Sequence, residues 1–384
     1  ASIQTGNTPT KTSDSNYYAS TGIPWIKPDN LGYSHSISKT SEYLTSEGAL
    51  CSRIMPPNTV YVCCIGSLGK VGYSSISCAC NQQINALIFN DLMFWKYGYY
   101  LTIAQESQYL LFGNGNVLQI INSTSQGNIA CVLPPLENQH LIACYLDSVY
   151  SDIEILIAKA RSSIEEYKKL KQAVITQAVA TQQCSHIKLK YLMNVIVDCP
   201  HETPTYSFTG NYYVIRTADQ ALASLRRDED MYRLDASEYK KRTRRLTLDK
   251  DDIVYGREGE RWGLACIVPE SNKYCLGQRI MQFRCNTKFL YPKYAMYTLN
   301  SEPVYLQGVA DTIGSTSPHV NISTICNYLL PVPALTEQKE IADYLDAKCA
   351  EIDGLIAKKE QLVKELESYK KSLIYEVVTG KRKV

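Results

Sequence analysis

No apolar run in this 384-residue chain approaches the roughly 18 residues that a membrane-spanning helix needs. No signal-like stretch opens it, and the start at Ala1 reads as a trimmed N-terminus. A surplus of one charge is also missing. The 40 basic and 38 acidic residues leave a net charge of +2, weak for a protein that holds nucleic acid alone. Five histidines are scattered, and the 14 cysteines contain no Cys-x-x-Cys pair and no histidine at zinc-ligand spacing. The expectation is reduced, mostly buried thiols in a cytoplasmic protein that needs no metal or other cofactor.

Catalytic signatures are lacking as well. Gly66-Ser67-Leu68-Gly69-Lys70 resembles a phosphate loop only loosely. It lacks the four-residue spacing before Gly-Lys, and Val71 stands where Ser or Thr should bind magnesium. A strand-joining turn is the better reading. No Asn-Pro-Pro-Tyr or Asp-Pro-Pro-Tyr is present to hold a flipped adenine, and no Gly-rich loop after a strand suggests S-adenosylmethionine.

What is present is a duplication. Residues 134–180 match residues 333–379 at a constant offset of 199, with about a third of positions identical. Ala143-x-Tyr145-Leu146-Asp147 returns as Ala342-x-Tyr344-Leu345-Asp346, and Leu156-Ile157-Ala158-Lys159 as Leu355-Ile356-Ala357-Lys358. Residues 136–199 hold neither Gly nor Pro. There Ile142, Leu146, Val149, Ile153, Leu156, Ala160, Ile164, Tyr167, Lys171, Val174 and Ala178 recur mostly at steps of four and three, predicting a coiled-coil seam. A second seam runs through Ile341, Leu345, Lys348, Ile352, Leu355, Lys359, Leu362, Leu366, Tyr369, Leu373 and Glu376. Pro135 and Pro333 precede the helices, while Glu137 and Glu337 suit their positive ends. Each helix should span about 60 Å. Gly354 inside the second should cost roughly 1 kcal/mol against Ala, so something else is expected to need bare backbone there. Two helices too polar to stand alone should pair antiparallel, putting the globules at opposite ends of a rod related by an approximate two-fold.

The globules read as mixed and mostly β. The runs 60–65 and 252–255 are strand-like, and each leads into a Gly-containing turn. The halves echo each other weakly. Thr8-Pro9 parallels Thr203-Pro204, Lys70-Val71-Gly72 parallels Arg261-Trp262-Gly263, and Gln82-Gln83-Ile84 parallels Gln278-Arg279-Ile280. The strand-like residues 186–195 have no counterpart in the first half, which again points to trimming. The first globule is charge-balanced, with six residues of each sign, whereas the second holds nineteen basic and sixteen acidic residues. Its sharpest run, Lys240-Lys241-Arg242-Thr243-Arg244-Arg245, suits phosphate contact or a solvated face equally well.

Together these features resemble the specificity subunit of type I restriction–modification enzymes. The second half carries Asp198-Cys199-Pro200-His201-Glu202-Thr203-Pro204, Arg257-Glu258-Gly259, Leu276-Gly277-Gln278-Arg279, Gly314-Ser315-Thr316-x-Pro318-His319 and Leu335-Thr336-Glu337-Gln338. The first half carries Gly6-Asn7-Thr8-Pro9, Gly22-Ile23-Pro24-Trp25-Ile26, Asn81-Gln82-Gln83-Ile84-Asn85 and Leu136-Glu137-Asn138-Gln139. The resemblance implies an α+β fold. Two target recognition domains with mostly β cores, residues 1–132 and 186–331, alternate with helical repeats, residues 133–185 and 332–384, that form an antiparallel coiled coil. It also implies a non-catalytic subunit that reads a bipartite site in double-stranded DNA. Its partners would be methyltransferase subunits, two of them, and restriction–translocase subunits.

Residues of the right type to touch DNA are Lys70, Gln82, Gln83, Asn114 and Asn116 in the first globule. In the second they are Lys241, Arg242, Arg244, Arg245, Arg257, Arg261, Gln278, Arg279, Ser315, Thr316 and His319. Lys and Arg neutralise phosphates, whereas Arg, Gln and Asn bond two base-edge atoms at once. Two other classes stay open. A coiled-coil adaptor without nucleic acid fits the small net charge, and a methyltransferase fused to its own recognition domain requires the motifs that are missing. Salt-dependent DNA retention separates the first from a reader of DNA, and a bound-cofactor assay tests the second.

Overall fold

The structure, a computed structural model, describes residues 1–9, 16–32, 36–115, 119–180, 184–312 and 318–384. It divides into two compact units, Ala1–Ser162 with Glu360–Val384, and Ser163–Lys359.

In the first unit Ser2–Thr5 (β1), Thr59–Cys63 (β2), Val71–Ser74 (β3) and Ile84–Ile88 (β4) form an antiparallel sheet ordered β1-β4-β2-β3. Every residue of β2 is buried, which is why the run reads as continuously apolar rather than alternating. Val60 and Val62 point into a core with Tyr97 and Leu101 of the helix Trp95–Ala104 (α1). Tyr61 and Cys63 point into a second core with Ile26 and Met55. Glu106–Phe112 (α2) follows, and then Leu136–Ala180 (α3), a single helix of 45 residues that continues into the second unit.

The second unit repeats the plan. Met193–Asp198 (β5) is followed by the helix Ala236–Arg242 (α4) and then by Ile253–Gly256 (β6), Ala265–Ile267 (β7) and Ile280–Cys285 (β8). The four strands form an antiparallel sheet ordered β5-β8-β6-β7. Tyr61 pairs with Ala86 and Gly72, and Val254, in the same place, pairs with Gln282 and Cys266. Pro292–Leu299 (α5) and Glu302–Val309 (α6) lead on toward Leu335–Val378 (α7), a helix of 44 residues. Residues 186–195 are not one strand. Ser185–Lys188 pairs with Leu329–Val332, and Leu189–Leu192 then makes one helical turn that buries Leu189 and Leu192 before β5 begins.

The long helices run antiparallel: within the first unit Glu154 meets Lys370 and Arg161 meets Glu367 at 2.8 Å. The buried positions depart from the expected seam. Tyr150, Ile157, Ile175 and Val179 are buried, whereas Leu156 is 51% exposed. Ala143, Leu146, Tyr150, Ile153, Ile157, Ala160 and Ile164 are buried at alternating steps of three and four, so the seam keeps its heptad and takes Ala143, Tyr150 and Ile157 in place of their apolar neighbours one residue earlier. The second helix departs likewise: Cys349 is buried, while Leu362 and Tyr369 are exposed. No described atom lies within 4 Å of a Cβ added at Gly354, so the chain's own packing does not require the glycine.

Each helix is tied to its unit by the same side chains. Gln139, fully buried, donates to the carbonyls of Leu92 and Pro134 at 3.1 and 2.8 Å and accepts from the Phe94 amide at 2.8 Å. Gln338, also fully buried, does the same with Phe289, Pro333 and Tyr291, all within 2.9 Å. Asp147 accepts from the Tyr100 hydroxyl and pairs with Lys96, while Asp346 accepts from the Tyr297 hydroxyl and pairs with Lys293. Burial and the adjacent carboxylate push both tyrosine hydroxyls well above their ordinary value, so they remain donors. Gln139 and Gln338, and Asp147 and Asp346, are pairs within the repeat, so the duplication carries these anchors.

Candidate nucleic-acid interface

At one end of each sheet, loops meet in a hydrogen-bonded frame. In the first unit the Cys64 amide donates to the Gln83 carbonyl at 2.8 Å, and Cys64 accepts from the Ile121 amide at 3.0 Å. The Gly66 amide donates to Gln119 at 3.0 Å, and Ile65 bridges Ile120. In the second unit the Arg257 amide donates to Arg279 at 3.0 Å, and Arg257 accepts from Val320 at 3.1 Å. The Gly259 amide donates to Pro318 at 2.9 Å, and Glu258 bridges His319. Gly66 and Gly259 both sit at φ 83°, a left-handed conformation that glycine adopts without steric cost. The echo of Gln82-Gln83 with Gln278-Arg279 therefore holds in space. The echo of Lys70 with Arg261 is displaced. Gly69 and Gly263 make the same bond, to Cys63 and Gly256, and the second turn is one residue longer.

The side chains on this frame differ. Around Arg257 they form a charged chain. Its guanidinium bonds both oxygens of Asp198 at 3.0 and 3.3 Å and meets Glu258 at 2.7 Å. Glu258 lies 3.9 Å from Arg279, and Asp198 lies 3.1 Å from His201. Arg279 holds φ 67°, costly for a residue with a Cβ, and its side chain is 54% exposed. In the first unit Thr8 donates to Gln82, and Asn81 donates to Gln83 at 3.0 Å. There the frame is neutral, and burial pushes the Cys64 thiol up to about 12.

Two of the residues expected to touch DNA are buried. Arg242 is buried, donating to the carbonyls of Leu276 and Glu202 at 2.9 Å and of Pro200 at 3.4 Å. Arg257 is equally buried against its two carboxylates. A buried charge must be paired or fully bonded: Arg257 is paired with two carboxylates and Arg242 is bonded to three carbonyls, so both hold loops in place. Arg261 is exposed, yet it bonds the carbonyls of Ala218 and Gln220 at 3.1 and 3.0 Å. Gln278 reaches the His201 carbonyl at 3.4 Å, and Lys241 pairs with Glu202 at 2.6 Å. Lys70, Gln82, Asn114, Arg244 and Arg245 are exposed, and Gln83 and His319 half-buried. Asn116, Ser315 and Thr316 lie outside the described residues. Arg242 thus fixes the basic end of α4 beside the loops of Gln278 and His201. Ile65 and Ile120 gave no signal in the sequence, whereas Asp198 and Glu258 stood unremarked inside quoted motifs.

Comparison with known proteins decides the family. The family described as the type I restriction modification DNA specificity domain matches residues 1–166 and again residues 199–365. The chain belongs to this family. Its duplicated specificity domain is 24% identical over 337 residues to the type I restriction enzyme MjaVIII specificity subunit of Methanocaldococcus jannaschii, covering 83% of this chain and 76% of that protein. The EcoBI specificity subunit of Escherichia coli is 29% identical over 137 residues, covering 34% of this chain and 27% of its own length. A solved structure of a type I restriction–modification system superposes with a TM-score of 0.71 at 14% identity, over 97% of this chain and 94% of that one, which shows the same fold. The specificity chain is accordingly a non-catalytic subunit of α+β fold. Among the described residues no cluster of His, Cys, Asp or Glu could hold a metal ion, and no helix is long and apolar enough to cross a membrane.

Proposed function

We propose that the chain reads a bipartite site in double-stranded DNA, one half-site per recognition domain, with the paired helices α3 and α7 setting the spacing. On this reading it works in the cytoplasm with two methyltransferase subunits and with restriction–translocase subunits, which perform the chemistry. The observation that carries the proposal is the repeated frame: the same backbone bonds, at the same end of the same sheet, present different side chains in each unit. A device that reads two unlike sequences with one architecture needs that combination.

The small net charge supports a further element of the reading, that the isolated chain binds DNA weakly and gains strength from its partners. Counterion release scales with the number of phosphates neutralised, and a net charge of +2 leaves little cationic surplus for that purpose. Electrophoretic retention of duplexes from a random pool, with and without the methyltransferase subunits, tests it. Salt-sensitive retention that becomes site-specific only with the partner is expected. Nanomolar site binding by the chain alone in physiological salt would contradict it.

A further inference from the structure

The two frames can be compared position by position. Backbone bonding puts Ile65 where the other unit has Glu258, Gln83 where it has Arg279, and Ile120 where it has His319. All six are at least partly exposed. The substitutions are coupled. Where the reading position is Arg279, a carboxylate stands beside it at 3.9 Å, itself fixed by buried Arg257. Where the reading position is the uncharged Gln83, the neighbour is Ile65 and the residue beneath is Cys64, so no charge is left without a partner. The backbone at Arg279, held at φ 67°, adds strain at the same point. Strain kept in place by surrounding bonds is found where a side chain must be aimed.

We infer that Gln83 and Arg279 are the equivalent specificity-determining residues of the two domains, and that they impose different base classes. The inference rests on the DNA-reading function proposed above. The fork of Arg279 matches the O6 and N7 acceptors of guanine, and the amide of Gln83 matches the N6 donor and N7 acceptor of adenine. One half-site therefore has a contacted guanine and the other a contacted adenine. Ile65 and Ile120 suit apolar contact with a thymine methyl beside that adenine. Glu258 is a positioning residue that orients the Arg279 guanidinium.

The test uses the full chain produced with its methyltransferase subunits in a host free of other DNA methylation, with modified sites mapped across the genome. Arg279→Gln should relax one guanine of one half-site by roughly five- to a hundredfold and leave the other half-site as it was. Gln83→Arg should alter one adenine of the opposite half-site. Glu258→Ile should weaken discrimination at the same guanine, and Glu258→Asp, which keeps a carboxylate beside Arg279, should restore part of it. The unaltered half-site reports in each case that the chain is folded. The wild-type complex supplies a check that needs no variant: replacing that guanine by 7-deazaguanine, which lacks the N7 acceptor, should weaken binding several-fold. Unchanged half-sites in Arg279→Gln and Gln83→Arg, or indifference to 7-deazaguanine throughout the site, would overturn the inference. A wild-type complex that modifies no DNA would instead overturn the function on which it rests.

Discussion

Lys171 donates to both carboxylate oxygens of Asp353, at 3.0 and 2.8 Å, from a side chain that is 5% exposed. Its counterpart 199 positions along, Lys370, pairs with one carboxylate oxygen of Glu154 and lies over the Tyr150 ring at 4.2 Å. An ammonium buried at a helix–helix seam costs several kcal/mol of desolvation unless it is paired. Removing the carboxylate should therefore hurt more than removing the ammonium, because Asp353 is 48% exposed and can be hydrated whereas Lys171 cannot. Asp353→Ala is expected to lose about 3 kcal/mol, whereas Lys171→Met, which keeps the volume, should fall within about 1 kcal/mol of the parent. Denaturant unfolding of the full chain checks both values.

The buried glutamines should matter as anchors of helix to globule. Gln338→Leu keeps the size but abandons two carbonyls and one amide in the interior, and unmade buried hydrogen bonds cost about 1–3 kcal/mol each. A loss of at least about 3 kcal/mol is expected, with Gln139→Leu showing a similar loss. Calorimetry of the two variants checks this; a loss under about 1 kcal/mol in either would mean that water replaces the bonds.

The basic run on and after α4 should act on phosphates, without Arg242. Replacing Lys240, Lys241, Arg244 and Arg245 by Gln should weaken binding of the partnered complex to all sequences alike and flatten its salt dependence by up to about 0.9 per lost phosphate contact. Arg242→Gln should instead lower the melting temperature, because it empties a buried site that ties three carbonyls. Salt titrations and melting curves separate the two roles. A fourfold variant with unchanged salt slope would return the run to a solvated face.

Alkali should destabilise the fold. Burial pushes the thiols of Cys64, Cys80, Cys266, Cys275 and Cys285 from 9.0 up to about 12. In the unfolded chain these thiols ionise near their ordinary value while the folded chain keeps its protons. The stabilisation is thus complete below about pH 9 and is lost between about pH 9 and pH 12. Melting temperatures across that window should fall steadily after a plateau.

Much of the fold was legible because duplication and helical periodicity are properties of the chain's order alone. Residues 143–147 repeated as 342–346 pointed to the helices, and one of the identities, Asp147 with Asp346, is an anchor of helix to globule. The site was harder. Arg242 and Arg257 look like surface cations in a sequence, and only the carbonyls and carboxylates folded around them show that they are interior. Residues 186–195 read as one strand because Leu189 and Leu192 suit either period, and a single helical turn is too short to declare itself. Leu156 missed the seam because Leu156 and Ile157 are both apolar and either suits the heptad spacing, and only the packing shows that Ile157 is the buried one.

The central claim is that α3 and α7 act as a ruler, and lengthening them tests it most directly. A matched insertion of four helix-forming residues, one at Ala160 and one at the facing level near Glu367, adds about 6 Å, equivalent to about two base pairs. It also turns one domain by about 40°, so some affinity should be lost and the shift can settle at one base pair. Methylation mapping of the inserted complex should return the original half-sites with a spacer longer by one or two base pairs. A spacer of unchanged length, or half-sites altered in sequence, would contradict the account.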